Sequence, residues 1–183
     1  DGAQWVEAAD FDSDGDLDIY VCNYNSPNAL FINESQMVFR EAAAEFGLDL
    51  VDACLMPSFC DYDNDGDLDC WVLANRLYRP GGRPEEVPFE RDEKTGKAKV
   101  KAEFSNYYAL IQTGESSYTI DDYGRPDYLL RNDGGKFVNV SDAAGIKING
   151  FGLSATWWDF NEDGWMDIYV CNDFLDPDRL YRN

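Results

Sequence analysis

Residues 10–21 read Asp10-Phe-Asp12-Ser-Asp14-Gly15-Asp16-Leu-Asp18-Ile-Tyr-Val21, five aspartates in nine residues followed at once by an apolar run. An uncompensated carboxylate at the edge of a buried segment is among the costliest groups a fold can carry. The spacing therefore implies a cation. Asp10, Asp12 and Asp14 stand at positions 1, 3 and 5, Gly15 at 6 and Asp18 at 9. Alternate side-chain oxygens converge on one point, and the glycine permits the turn that brings in the position-7 carbonyl of Asp16. An all-oxygen donor set with no soft ligand suits Ca²⁺, with its six to eight oxygens. Mg²⁺ fits less well, because it demands a strict octahedron and retains waters. The chain has no histidine, which removes the commonest zinc or copper ligand.

The pattern recurs twice. Asp61, Asp63, Asp65, Asp67 and Asp69 repeat it with Gly66, and Asp159, Asn161, Asp163, Trp165 and Asp167 repeat it with Gly164. In each, the position-7 residue (Asp67, Trp165) would supply a backbone oxygen. Three loops with the same offsets predict three Ca²⁺ sites. An EF-hand is excluded, since its position-12 acid is replaced by Val21, Val72 and Val170. The flanking runs "DIYVCN", "DCWVLAN" and "DIYVCN" are β-branched and aromatic, of strand length and without alternation, as in strands buried on both faces. Each loop thus joins two strands, with the ninth-position Asp opening the second.

A repeat near 50 residues with four short strands per unit predicts propeller blades and an all-β fold. The units are 1–50 with loop 10–18, 51–148 with loop 61–69, and a partial blade at 149–183 with loop 159–167. Asp18 precedes Leu30 by 12 residues, whereas Asp69 precedes Leu129 by 60, so an insertion is placed at about 79–126. It is locally basic, with eight Lys/Arg against five acids over 76–101, followed by a tyrosine-rich stretch. A hairpin is predicted to turn near Thr95-Gly96, with Lys97, Lys99 and Lys101 along one face. The segment reads either as a decorated loop neutralising an acidic body or as a recognition surface whose tyrosines stack on a ligand.

The 183 residues carry a net charge of −21, which argues against nucleic acid, because nothing offsets phosphate repulsion. At 44% hydrophobic and 15% aromatic the chain is nonetheless a folding one. Cys22, Cys54, Cys60, Cys70 and Cys171 read as small buried hydrophobes. Cys54 and Cys60 cannot bridge along one strand, whose six-residue step spans roughly 20 Å. Neither a membrane span nor a leader is visible in the sequence. Asn33-Glu-Ser35 and Asn139-Val-Ser141 match the N-glycosylation sequon.

The three loops with their trailing strands resemble FG-GAP/VCBS repeats, the calcium-binding blades found in integrin α-chain propellers. "GRPDYLLRNDGGKFVNVSDAAGI", with the following "GFGLSATWWDFNEDGWMDIYVCNDFLDPDRLYRN", is similar to the cartilage-acidic-protein-like (ASPIC/UnbV) group, many of them secreted bacterial proteins. The resemblance implies part of a seven- or eight-bladed calcium propeller. By position it makes Asp10, Asp12, Asp14, Asp18 and their equivalents ligands, with Asp16, Asp67 and Trp165 giving backbone oxygen. The remaining blades of the same propeller are expected in a longer chain.

The function read from this is an extracellular or periplasmic calcium-stapled module for adhesion, surface assembly or contact with proteins or glycans. The alternative is a calcium-dependent polysaccharide lyase or hydrolase on the same scaffold. The prominent carboxylates are already committed to metal, however, and no G-x-S-x-G elbow or Cys/His pairing is present.

Overall fold

The computed structural model describes residues 2–115, 117–173 and 176–183. It separates into two compact units, Asp1–Asn75 with Arg125–Asn183, and Arg76–Gly124.

The first unit is built from repeated antiparallel sheets. In the first sheet β1 (Ala3–Ala9), β2 (Asp18–Asn23), β3 (Ala29–Asn33) and β4 (Phe39–Glu41) lie in sequence order. The stretch after β4 is not extended throughout. A one-turn helix, α1 (Ala43–Phe46), ends at Gly47 in the left-handed region. Glycine is required there for two reasons: φ is +80°, and a Cβ would stand 2.6 Å from the Phe137 carbonyl oxygen.

The second sheet opens with β5 (Cys54–Cys60) and β6 (Asp69–Ala74). The chain then leaves for the second unit, formed by two hairpins around a 3₁₀ turn at Ala102–Phe104. The hairpins are β7 (Phe89–Arg91) with β8 (Ala98–Val100), and β9 (Tyr108–Gln112) with β10 (Tyr118–Asp122). On its return, β11 (Arg125–Pro126) leads into β12 (Tyr128–Asn132) and β13 (Phe137–Asn139). The sheet order β13-β12-β6-β5 therefore pairs strands that lie far apart in sequence. After β14 (Asn149–Gly150), the third sheet contains β15 (Gly152–Trp158), β16 (Asp167–Asn172) and β17 (Arg179–Tyr181). The fold is all-β, as the periodicity of the runs predicts.

The sheets stack through aromatic pairs that repeat with the sequence. The residue after the first loop Asp packs on the aromatic two positions before the next loop. Phe11 meets Phe59 edge-on at 4.7 Å, and Tyr62 stacks on Trp157 at 6.2 Å. Tyr20, Leu30, Cys54, Cys70 and Phe137 complete the core between the first two sheets, and Trp71, Leu129, Ile168 and Val170 the core between the second and third. β6 is buried along its whole length, which explains why its sequence shows no alternation.

All five cysteines are free thiols. Burial raises Cys22 and Cys70 and lifts Cys54 to about 11, so they sit in the core as apolar groups rather than nucleophiles.

In the second unit Lys99 pairs with Glu90 at 2.9 Å, Lys101 with Glu86 at 2.6 Å and Arg76 with Asp122 at 3.1 Å. Part of its basic charge is thus met by its own acids. No helix among the described residues is long and apolar enough to cross a membrane.

Candidate metal loops

Each aspartate loop joins the first and second strands of its sheet, and the three share one backbone conformation. Position 4 lies in the left-handed region at Ser13, Asn64 and Glu162, with φ of 61°, 59° and 59°. Position 6 follows with φ of 95°, 101° and 91° at Gly15, Gly66 and Gly164. No atom lies within 4 Å of a Cβ built on these glycines, so glycine is needed for the dihedral and not for space.

The turn is held by its own carboxylates. The position-1 Asp accepts two backbone N–H groups, from positions 5 and 6: Asp10 from Asp14 and Gly15, Asp61 from Asp65 and Gly66, Asp159 from Asp163 and Gly164, all at 2.9–3.1 Å. The position-5 Asp accepts the N–H of position 7, at Asp16, Asp67 and Trp165. Asp67 has a further use, since its carboxylate accepts the Gly134 N–H at 3.0 Å across the sheet.

The ninth-position aspartates have an additional role. Asp18, Asp69 and Asp167 are 0, 0 and 1% exposed, and both oxygens of each are engaged by the backbone. One oxygen accepts the N–H of loop position 2 (Phe11, Tyr62, Phe160) at 2.8–3.2 Å. The other accepts the N–H of an asparagine closing the third strand of the sheet (Asn33, Asn132, Asn183) at 2.8–2.9 Å. That asparagine reaches back with its Nδ2 to the position-8 carbonyl of Leu17, Leu68 or Met166. Each buried carboxylate is therefore a latch between loop and third strand, compensated at least in part by backbone dipoles. Burial still raises Asp69 to about 6, against the two N–H bonds that favour its charge.

Two groups of three carboxylates remain as a cation cradle, each offering oxygens within 4.8 Å of one another: Asp10, Asp12 and Asp18, and Asp61, Asp63 and Asp65. Burial, and then repulsion from Asp18 and Asp14, raises Asp12. Burial, and then repulsion from Asp65, raises Asp63. Asp63 Oδ1 is buried and has no hydrogen-bond partner. Crowded, partly desolvated carboxylates with an orphaned oxygen fit a hard divalent ion. In the third loop, Asn161 Nδ2 donates to Asp163 Oδ2 at 2.8 Å, and the described residues there do not bring three carboxylates together. Loops two and three also touch, through Asn64 Nδ2 and the Gly164 carbonyl at 3.3 Å.

A second set of side chains locks the opposite end of each sheet. Asn28, Asp127 and Asp178 accept the N–H of Asn23, Ala74 and Asn172 at 2.8–2.9 Å. Together with the closing asparagines they spell Pro-Asn/Asp-x-Leu-x-x-Asn at 27–33, 126–132 and 177–183. This is a repeat signal as regular as the loops. Matching leucines alone locate the strand but not the two latch residues that flank it.

The FG-GAP-like repeat family matches residues 6–72, which take in the first two loops, all of β2 and the start of β6. Residues 6–72 thus carry FG-GAP-like repeats. The chain is similar to cartilage acidic protein 1 of Xenopus tropicalis, with 31% identity over 110 residues, covering 51% of this chain and 16% of that relative. The chain thus spans a small part of the relative's length. FG-GAP repeats form β-propeller blades, and the consecutive antiparallel sheets are such blades.

Proposed function

We propose that this chain is part of a calcium-stapled, non-catalytic propeller that works outside the cell or in the periplasm as an interaction module. The observation that carries the reading is the orphaned Asp63 oxygen within the Asp61–Asp63–Asp65 group. Asp10, Asp12 and Asp18 would hold a second ion, and Asp159, Asn161, Asp163 and Asp167 a third and weaker one. The ion supplies charge neutralisation and cross-links the ends of a turn that its acids would otherwise push open. Sites of extracellular modules bind calcium with Kd on the order of 10⁻⁴ to 10⁻³ M, so they fill outside cells and stay empty in a calcium-poor cytosol. Similarity to a cartilage acidic protein supports the same compartment. The second unit, with Tyr78, Val87, Ile111 and Tyr118 exposed, offers apolar contact area for a protein or glycan partner.

Calorimetric titration of the EGTA-treated protein with CaCl₂ tests the metal reading. Binding heat with a rise in melting temperature is expected. Absence of both at millimolar calcium would refute it.

A further inference from the structure

We propose that Asn139 is an N-glycan acceptor and that Asn33, which carries the same sequon, is not. This rests on the extracellular reading above and adds to it a covalent modification site.

The two sequons are alike in sequence and opposite in structure. Asn33 is buried at the end of β3, its backbone N–H given to Asp18 and its Nδ2 directed to the Leu17 carbonyl at 3.4 Å. A sugar on that nitrogen would have to displace the latch that joins loop to strand. Asn139 is exposed at the end of β13, the edge strand of the second sheet. Its Oδ1 accepts the Ser141 N–H at 3.0 Å and the Ser141 hydroxyl at 2.7 Å. The carboxamide oxygen and the sequon hydroxyl are thus already joined. No acceptor for Nδ2 is present among the described residues, so that nitrogen can carry a substituent without loss of a fold contact.

The chemistry is ordinary for a secretory lumen. The Asn139 nitrogen attacks the anomeric carbon of a polyprenyl-diphosphate-linked oligosaccharide. An N–C bond forms, the C–O bond to the diphosphate breaks, the diphosphate leaves with the electron pair, and the nitrogen gives up one proton to a base. The product places a hydrated glycan on an edge strand whose neighbouring Val138 is exposed. Such a group keeps an open edge from pairing with another chain.

The test directs the full chain into the secretory pathway of a eukaryotic cell with an added leader and reads total cell and medium protein, treated or not with peptide-N-glycosidase. One enzyme-sensitive step in mobility is expected, lost in Asn139→Gln and kept in Asn33→Gln. Should either variant fold poorly, the parent protein decides alone. Deglycosylation in heavy-oxygen water marks the acceptor as a labelled aspartate, and mass spectrometry should find it at 139. An unshifted parent, or label at 33, overturns the proposal. Because the leader is supplied, failure here is separate from failure of the native compartment assignment, which fractionation of the source cells would reveal.

Discussion

Replacing Asp63 by Ala should change stability in opposite directions with and without calcium. In EGTA the parent holds a partly buried carboxylate whose Oδ1 has no partner and whose charged form is opposed by burial and by Asp65. Removing it relieves a fraction of the roughly 1–3 kcal/mol that an unsatisfied buried polar atom costs, because the side chain keeps some solvent contact. The variant should melt at the parent's temperature or slightly above. With about 5 mM calcium and a Kd on the order of 10⁻⁴ to 10⁻³ M, one filled site adds RT ln(1 + [Ca]/Kd), about 1–2 kcal/mol. A chain of this size gains roughly 2–4 °C per kcal/mol, so the calcium-induced rise should shrink by about 2–8 °C. Asp63→Asn should fall between, because an amide oxygen can still ligate, as Asn161 would in the third loop. Differential scanning calorimetry in paired buffers reads both limbs. An equal drop in both buffers would show that this oxygen supports the turn and not a cation.

Three other substitutions test two buried acids and one glycine turn. Asp69→Ala strips the acceptor from the buried Tyr62 and Asn132 N–H groups. It should cost about 2–6 kcal/mol in urea unfolding, less the relief of its own buried charge, and by a similar amount with or without calcium. Asp127→Asn addresses pH. Burial raises Asp127 to about 7 from the ordinary 3.8, so its contribution is fully present below pH 4 and lost as pH rises through 7. The asparagine variant, built like Asn28 in the first sheet, should match the parent near pH 4. At pH 8 it should exceed the parent by up to about 4 kcal/mol, and equal urea midpoints there would refute the assignment. Gly47→Ala, strained at positive φ and driven into the Phe137 carbonyl, should lower the melting temperature by several degrees.

Much of this structure can be read along the chain, because the repeats are spelled three times. Aspartates at fixed offsets with a glycine at the sixth position locate the turns, and the apolar runs after them locate strands, but only β6 is buried on both faces: β2 alternates buried and half-buried positions and β16 exposes Tyr169. The crowding of aspartates in each loop is only partly explained by sequence. Clustered charge raises the expectation of a cation, but the carboxylate that is most deeply buried in the first loop, Asp18, is met by the N–H groups of Phe11 and Asn33. Spacing alone treats all five acids as equivalent, since hydrogen bonds from another strand leave no mark on local pattern. Asn33, Asn132 and Asn183 were hidden for the same reason. An asparagine ending a strand resembles any turn residue until its partner across the sheet is known. The basic face of the inserted hairpin was visible, whereas its pairing with Glu86 and Glu90 depends on register.

The latch also explains how one repeat carries a guest. In the first sheet the two halves of the clasp lie 15 residues apart, and in the second 63, yet the bonds are the same 2.8 Å. Arg125 N–H on the Asn75 carbonyl, at 2.7 Å, closes the doorway through which the extra segment departs and returns. Any polypeptide whose ends meet at that doorway could be spliced in without disturbing the host. The longer excursion carries an entropic charge of only about 1.3 kcal/mol on logarithmic loop scaling. Its larger effect is on order of assembly: the first sheet can zip locally, while the second must wait for its guest to come home.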